Sequence, residues 1–171
     1  MEIGRAGIAS IMFTDIVDST ALAEAMGDRA WSRVVEAHAA GVAARIEAAG
    51  GELVKSLGDG TLSSFPTAVG ALAAAAAIQA ASAEREPRLR VRIGIHTGDL
   101  VRAEDDYLGG VVNKAARIAA AAAPEEMRVS EVTRLMAGGA QGLRFEDPVQ
   151  VALKGLEGEH LLHRLVAAAA R

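Results

Sequence analysis

Two aspartates stand where carboxylates can converge on one point of a fold. Asp15 ends an almost continuous apolar segment, residues 7–15, that is typical of a central strand buried on both faces. Asp59 lies in a Gly-Asp-Gly sequence that favours a tight hairpin turn. Taken singly, Asp15 and Asp18 are explained as helix caps and Asp59 as a turn residue. Taken together, Asp15 and Asp59 are well placed to share the two divalent cations of a phosphoryl-transfer site.

A second polar pair lies in the segment VVNKAARIAAA. Asn113 and Arg117 are four residues apart, so a helix projects them from one face. An amide beside a guanidinium is able to grip a phosphoryl group or a ribose. The alternative is an ordinary solvated face on which Lys114 and Arg117 are surface cations. The residues by themselves leave both interpretations open.

Composition limits the classes of function. The 171 residues correspond to one domain, 1–171, with a net charge of −4 and no cysteine. The negative charge argues against nucleic acid and an anionic membrane as partners, and the missing cysteines exclude disulfides, thiolate nucleophiles and cysteine-based zinc sites. No apolar run reaches the roughly 20 residues that span a bilayer, and no signal peptide is evident. We therefore expect a cytoplasmic protein without membrane contact.

The hydrophobic pattern predicts an α+β domain in which helices cover an antiparallel-rich sheet. Ser19 and Thr20 are predicted to cap a helix, and residues 105–110 to form a polar connection. The predicted elements are a strand at 7–15, a helix at 28–49, a hairpin at 52–65, a helix at 67–83, a strand at 88–100, a helix at 111–123, a strand at 127–130, a helical turn at 131–136 and a strand-rich tail at 143–166.

Four segments, read in order, resemble the catalytic domain of class III nucleotidyl cyclases. They are FTDIVDST (13–20), VKSLGDGTLSSF (54–65), RIGIHTGDL (92–100) and DYLGGVVNKAARI (106–118), and their spacing covers nearly the whole chain. The resemblance implies a ferredoxin-like α+β fold and an adenylyl cyclase that converts ATP into 3′,5′-cyclic AMP and pyrophosphate.

The resemblance also implies roles for individual residues. Asp15 and Asp59, with Ile16 counted among the metal residues, are expected to hold two Mg²⁺ or Mn²⁺ ions per site. Asn113 is expected to orient the ribose, and Arg117 to stabilise the transition state.

The resemblance further implies nucleotide contacts and a dimer. Lys55 and Asp106 are expected to select adenine, and Lys154 and Arg102 to bind the phosphates. Considered alone, Lys55, Asp106 and Lys154 are charged residues near turns, which are usually solvated. The family works as a head-to-tail homodimer with two equivalent sites, each taking its metal aspartates from one subunit and the other four residues from its mate.

Three other functions are alternatives to an adenylyl cyclase. A catalytically weak nucleotide-binding regulatory domain of the same fold is the main alternative, although all six principal positions carry the family's catalytic residue types. A palm-like cyclase that condenses two GTP molecules would carry a GG[DE]EF hairpin, whereas the turn here reads SLGDG. A purely structural interaction module would give no reason for polar residues at these six positions.

Overall fold

Eight strands and five helices make up the described part of the domain. The structure is a computed structural model that describes residues 7–103, 106–139 and 142–167, with the backbone alone at 102, 103 and 106–108. The strands are β1 (Gly7–Ile16), β2 (Glu52–Leu57), β3 (Gly60–Phe65), β4 (Val91–Ala103), β5 (Asp106–Leu108), β6 (Met127–Ser130), β7 (Leu143–Ala152) and β8 (Glu159–Ala167). The helices are α1 (Ser19–Met26), α2 (Asp28–Ala48), α3 (Ala68–Glu84), α4 (Gly110–Ala121) and α5 (Glu131–Ala137).

The strands form one mostly antiparallel sheet. Seven of them follow the order β2-β3-β1-β4-β6-β8-β7, and β5 pairs separately with β4. Among these pairings β4 with β6 is parallel, and the others are antiparallel. The prediction of an α+β domain with an antiparallel-rich sheet covered by helices is confirmed.

Strand β1 carries apolar side chains to both faces of the sheet, as its sequence predicts. Met12, on one face, belongs to a core that includes residues of α2 and α3. Ile11, on the other face, packs in a smaller core that includes Val111 and Ala115 of α4. Both side chains of β1 are fully buried. The two faces of this central strand are therefore covered by different helices, which holds its polar end in a fixed position.

Helix α4 lies very close to strand β4 at Gly94. A Cβ atom at this position would meet the backbone nitrogen of Ala119 at 2.2 Å and the carbonyl oxygen of Ala115 at 2.8 Å. Backbone atoms cannot move aside as a flexible side chain can, so glycine is required there. This close contact sets the distance of α4 from the sheet.

We therefore expect Gly94→Ala to lower the free energy of unfolding by about 3 kcal/mol or more. Gly110→Ala is the matched control, because nothing lies within 4 Å of a Cβ atom at that position, the first residue of α4. Chemical denaturation of the two variants measures the effect. Equal stability of Gly94→Ala and the wild type would contradict the close contact.

Two local predictions are wrong. Helix α1 begins at Ser19, and its N-cap is Asp18, which has a φ of 58° and makes no side-chain capping hydrogen bond. The Asp18 carboxylate pairs instead with Arg90, so neither the predicted cap at Ser19 and Thr20 nor carboxylate capping by Asp18 describes this helix start. The segment predicted as a connection at 105–110 contains β5, which extends β4 into a hairpin. The strand-rich tail is confirmed as β7 and β8.

None of the helices within the described ranges has the length and apolar character needed to cross a membrane.

Candidate active site

The structure brings Asp15 and Asp59 to the same edge of the sheet. Strand β1 pairs with β3 through Thr14 and Thr61, whose hydroxyl oxygens are 2.7 Å apart in the interior. The turn that joins β2 to β3 therefore lies against the end of β1. Gly60 makes this possible, because a Cβ atom there would stand 2.5 Å from the carbonyl oxygen of Thr14. Asp59, the preceding residue, is held next to Asp15.

Both carboxylates line one open cavity of about 510 Å³. Ile16 lines it as well, followed by Ser19 and Thr20 at the start of α1. The exposed N–H groups and the dipole of a helix N-terminus favour negative groups such as phosphate. The cavity is thus lined by the four carboxylates of Asp15, Asp18, Glu24 and Asp59 beside the helix start, so a polyphosphate would enter it together with divalent cations.

Arg92 is a site residue to which sequence reasoning assigned no role. Its Nη2 atom lies 2.5 Å from Oδ2 of Asp15, and its Nη1 donates to the carbonyl oxygen of Ala120 in α4 at 3.4 Å. Asp15 and Arg92 face each other as direct partners in the β1–β4 register. The signal in the sequence is a cation between the aliphatic residues Val91 and Ile93 at the start of β4. Arg92 therefore compensates the charge of the Asp15 carboxylate.

The donors in this cavity fit a magnesium or manganese site. Mg²⁺ is usually bound through one or two carboxylates plus substrate phosphates, rather than by a cage made only of protein. Asp15 and Asp59 provide two carboxylates, and the backbone carbonyl of Ile16 is a third possible oxygen ligand at the same edge. Among the residues described, no three His, Cys, Asp or Glu side chains form a complete metal cluster. The remaining oxygen ligands of the metal ions would therefore come from the substrate phosphates and from water.

Helix α4 carries the predicted pair Asn113 and Arg117 apart from these carboxylates. Asn113 is exposed, and Arg117 is half-buried. The Nε atom of Arg117 is buried without a hydrogen-bond partner in the described part of the chain. A second cavity, of about 200 Å³, extends from Asp15 to the alanines at the far end of α4. Neither cavity is lined by Asn113 or Arg117, so one chain does not unite the two groups.

The remaining predicted residues are also placed away from the carboxylates. Lys55 is exposed on the edge strand β2, and Lys154 is exposed in the turn between β7 and β8. The backbones of Arg102 and Asp106 belong to the β4–β5 hairpin. The side chains of these two residues lie outside what the structure describes. Neither Lys55 nor Lys154 lines the carboxylate cavity.

Lys114 differs from the solvated cation that the helical pattern suggested. It is partly buried, and this burial lowers its pKa. His96 of β4 lies near it, and its pKa is lowered to about 4 by burial and by the charges of Lys114 and His160. Nδ1 of His96 is hydrogen-bonded to Oγ of Ser130 at 2.7 Å. Neither Lys114 nor His96 lines the carboxylate cavity.

Comparisons with known proteins show which domain family this chain resembles. The family model of the adenylate and guanylate cyclase catalytic domain matches residues 1–167. A putative adenylate cyclase 3 of Rhizobium meliloti is 33% identical over 113 residues, which cover 63% of this chain and 19% of the relative. The chain thus spans only a small part of that longer protein.

Solved structures resemble the whole domain. An adenylate/guanylate cyclase/hydrolase of Silicibacter pomeroyi is 28% identical, with a TM-score of 0.84 and coverage of 97% of this chain and 99% of that one. The guanylyl cyclase Cya2 is 21% identical, with a TM-score of 0.85 and coverage of 98% and 96%. At that identity the likeness to Cya2 concerns the fold alone.

Proposed function

This chain belongs to the adenylate and guanylate cyclase catalytic domain family, and from that premise we propose that it is an adenylyl cyclase. It converts ATP into 3′,5′-cyclic AMP and pyrophosphate. The observation that carries the proposal is the convergence of Asp15 and Asp59 on one cavity beside the start of α1. A phosphoryl-transfer site with two divalent cations needs oxygen ligands placed in this way.

Asp15, Asp59 and the backbone carbonyl of Ile16 would hold Mg²⁺ or Mn²⁺ together with the triphosphate. The bound ions supply Lewis acidity, which lowers the pKa of the ribose 3′-hydroxyl and offsets charge on the phosphates. Arg92, which pairs with Asp15 at 2.5 Å, holds this carboxylate in position at the edge of the cavity.

The chain's own polar groups then orient the reactants. The 3′-hydroxyl gives its proton to solvent water and its oxygen bonds to the α-phosphorus, while the bond from that phosphorus to the pyrophosphate oxygen breaks. Asn113 holds the ribose so that attack is in line, and Arg117 donates to the charge that develops on the α-phosphoryl oxygens. Lys154 and Arg102 bind the outgoing phosphates.

Base selection follows from hydrogen-bond polarity. Adenine presents an acceptor at N1 and donors at its 6-amino group, so Lys55 donates to the first and Asp106 accepts from the second. Guanine presents a donor at N1 and an acceptor at O6, which sets each residue against a group of its own kind. The site therefore prefers ATP over GTP.

The complete site is shared between two subunits of a homodimer. Within one chain, Asn113 and Arg117 do not line the cavity that contains Asp15 and Asp59. A symmetric dimer supplies a second copy of α4 and thereby completes both sites. Asp15 and Asp59 come from one subunit, and Lys55, Asp106, Asn113 and Arg117 come from its mate.

Subunit mixing tests this arrangement. Asp15→Ala and Arg117→Ala should each be inactive, but an equal mixture forms heterodimers in which one of the two sites is intact. Random exchange makes half of the dimers heterodimers, so activity should recover to roughly one quarter of the wild-type value. Cyclic AMP formation is measured before and after mixing.

The matched control is a mixture of Asp15→Ala with Asp59→Ala. Asp15 and Asp59 of each site come from the same subunit. Every subunit in this mixture lacks one of the two aspartates, so both sites of every dimer stay defective and no activity should return. Absence of recovery in the first mixture despite demonstrated subunit exchange, or equal recovery in both mixtures, would contradict a shared site.

A further inference from the structure

A small, partly open cleft lies between helices α2 and α3 and shares no lining residue with the carboxylate cavity. Its volume is about 180 Å³. Three nitrogen-bearing side chains line it: His38 and Arg45 of α2, and Arg85 immediately after α3. Gly41 and Ser82 complete its polar wall. None of the residues that the family resemblance assigns to the active site lines this cleft.

Polar atoms of the cleft are buried without partners. His38 is only 7% exposed, and its Nε2 atom has no hydrogen-bond partner among the residues that the structure describes. The same holds for Nε of Arg85. Arg45 donates from Nη1 to the carbonyl oxygen of Gly41 at 2.9 Å, which uses one of its five N–H groups. Buried donors without acceptors are costly, so an occupant that supplies acceptor oxygens would stabilise the cleft.

The electrostatic character of the cleft is positive. Two guanidinium groups line it, whereas no carboxylate does. Burial, together with the charges of Arg85 and Arg45, lowers the pKa of His38 to about 4, and the charge of Asp59 partly opposes this shift. The imidazole therefore stays neutral at pH 7 and in its Nε2–H tautomer donates a hydrogen bond. Cationic and neutral donors together match an anion.

The volume restricts the occupant to a small molecule. A cavity of 180 Å³ is far larger than the roughly 15 Å³ that one water needs, yet smaller than the about 300 Å³ of the smallest typical ligand pockets. Guanidinium groups bind the paired oxygens of carboxylates and phosphates with two parallel hydrogen bonds. We propose that the cleft lined by His38, Arg45 and Arg85 is a binding site for a small oxyanion, a carboxylate or a phosphate.

Calorimetric titration of the wild-type protein with inorganic phosphate, and separately with acetate, tests the proposal in a constant sodium chloride background. We expect saturable binding of at least one probe with a Kd of about 1 mM or tighter. Binding of phosphate alone would identify a phosphate site, and binding of acetate alone would identify a carboxylate site. Arg85→Gln and Arg45→Gln should each weaken that binding about tenfold or more, because each removes a charge-assisted donor.

Arg33→Gln is the matched control. Arg33 lies on the same helix and is exposed, and it does not line the cleft. This variant loses the same charge, so its Kd should stay within about twofold of the wild-type value if the contacts are local. The unfolding temperature with and without the probe reports binding independently and shows that each variant is folded.

Two results would overturn the proposal. One is the absence of saturable binding of both phosphate and acetate to the folded wild-type protein. The other is binding that Arg85→Gln, Arg45→Gln and Arg33→Gln weaken equally, since this would indicate a general effect of charge. Neither readout depends on cyclase activity, so the proposal stands or fails separately from the proposed function.

Discussion

Asp15→Asn and Asp59→Asn are each expected to lower the rate of cyclic AMP formation from ATP roughly a hundredfold or more. Each change removes a negative charge from the cavity in which the metal-bound triphosphate would lie, while side-chain size is retained. We expect the decrease to appear in kcat, because the ions stabilise charge that develops during attack on the α-phosphorus. Initial rates at saturating Mn²⁺ or Mg²⁺ measure the effect.

Stability should change little in these variants. The ion pair between Asp15 and Arg92 is partly exposed, with 37% and 30% of the two side chains accessible. Pairs of this kind contribute at most about 1 kcal/mol to the free energy of unfolding. A large loss of activity in a variant that unfolds near the wild-type temperature therefore reports on catalysis rather than on folding.

Asp18→Asn provides the matched control for these two substitutions. Asp18 lines the same cavity, but its carboxylate pairs with Arg90 and makes no capping hydrogen bond. Its φ of 58° is one that asparagine adopts readily. We expect activity within about threefold of the wild type, as a solvated carboxylate contributes little. Comparable losses in all three variants, or full activity of Asp15→Asn, would contradict the assignment of the metal residues.

The double variant Lys55→Glu with Asp106→Cys should lower the ATP-to-GTP ratio of kcat/KM by orders of magnitude. The new carboxylate accepts hydrogen bonds from guanine N1–H and its amino group, and the smaller side chain no longer repels O6. ATP loses both of its directed hydrogen bonds. Each unmatched polar group in the base pocket costs roughly 1–3 kcal/mol, so two of them shift the ratio strongly.

The preference of the double variant for ATP over GTP is measured both as a ratio of kcat/KM values and as a ratio of affinities. Competition by non-cyclisable ATP and GTP analogues gives relative affinities even where turnover is weak. Arg33→Glu reverses one surface charge in the same direction and should leave the ratio unchanged. A double variant that keeps the wild-type ratio in both measurements would show that Lys55 and Asp106 do not read the base.

Local pattern was sufficient to predict much of this fold. The apolar segment that ends at Asp15, the Asp59 turn and the long helix α2 all follow from periodicity and turn chemistry, which act within a few residues. The shape of the start of α1 did not follow, because Asp18 adopts a left-handed backbone and pairs with Arg90 from a distant strand. A contact of that kind depends on tertiary structure.

The same reasoning explains what the sequence revealed about the candidate site. Asp15 and Asp59 could be paired in advance because each lies at the end of an element that the pattern predicts. The contact between Arg92 and Asp15 could not be predicted, since the two residues are 77 positions apart in the sequence and meet only through the register of β1 against β4. The division between the carboxylates and Asn113 with Arg117 became visible only in three dimensions, because it depends on where α4 packs.

Incubation of the purified protein with ATP and with GTP in separate reactions, each with Mn²⁺ or Mg²⁺, tests the central claim most directly. Chromatographic separation of the nucleotides identifies the product. The account predicts 3′,5′-cyclic AMP and pyrophosphate from ATP, dependent on the divalent ion, and much slower formation of cyclic GMP from GTP. A folded dimer that forms no cyclic AMP with either ion, or that forms cyclic GMP faster than cyclic AMP, would contradict it.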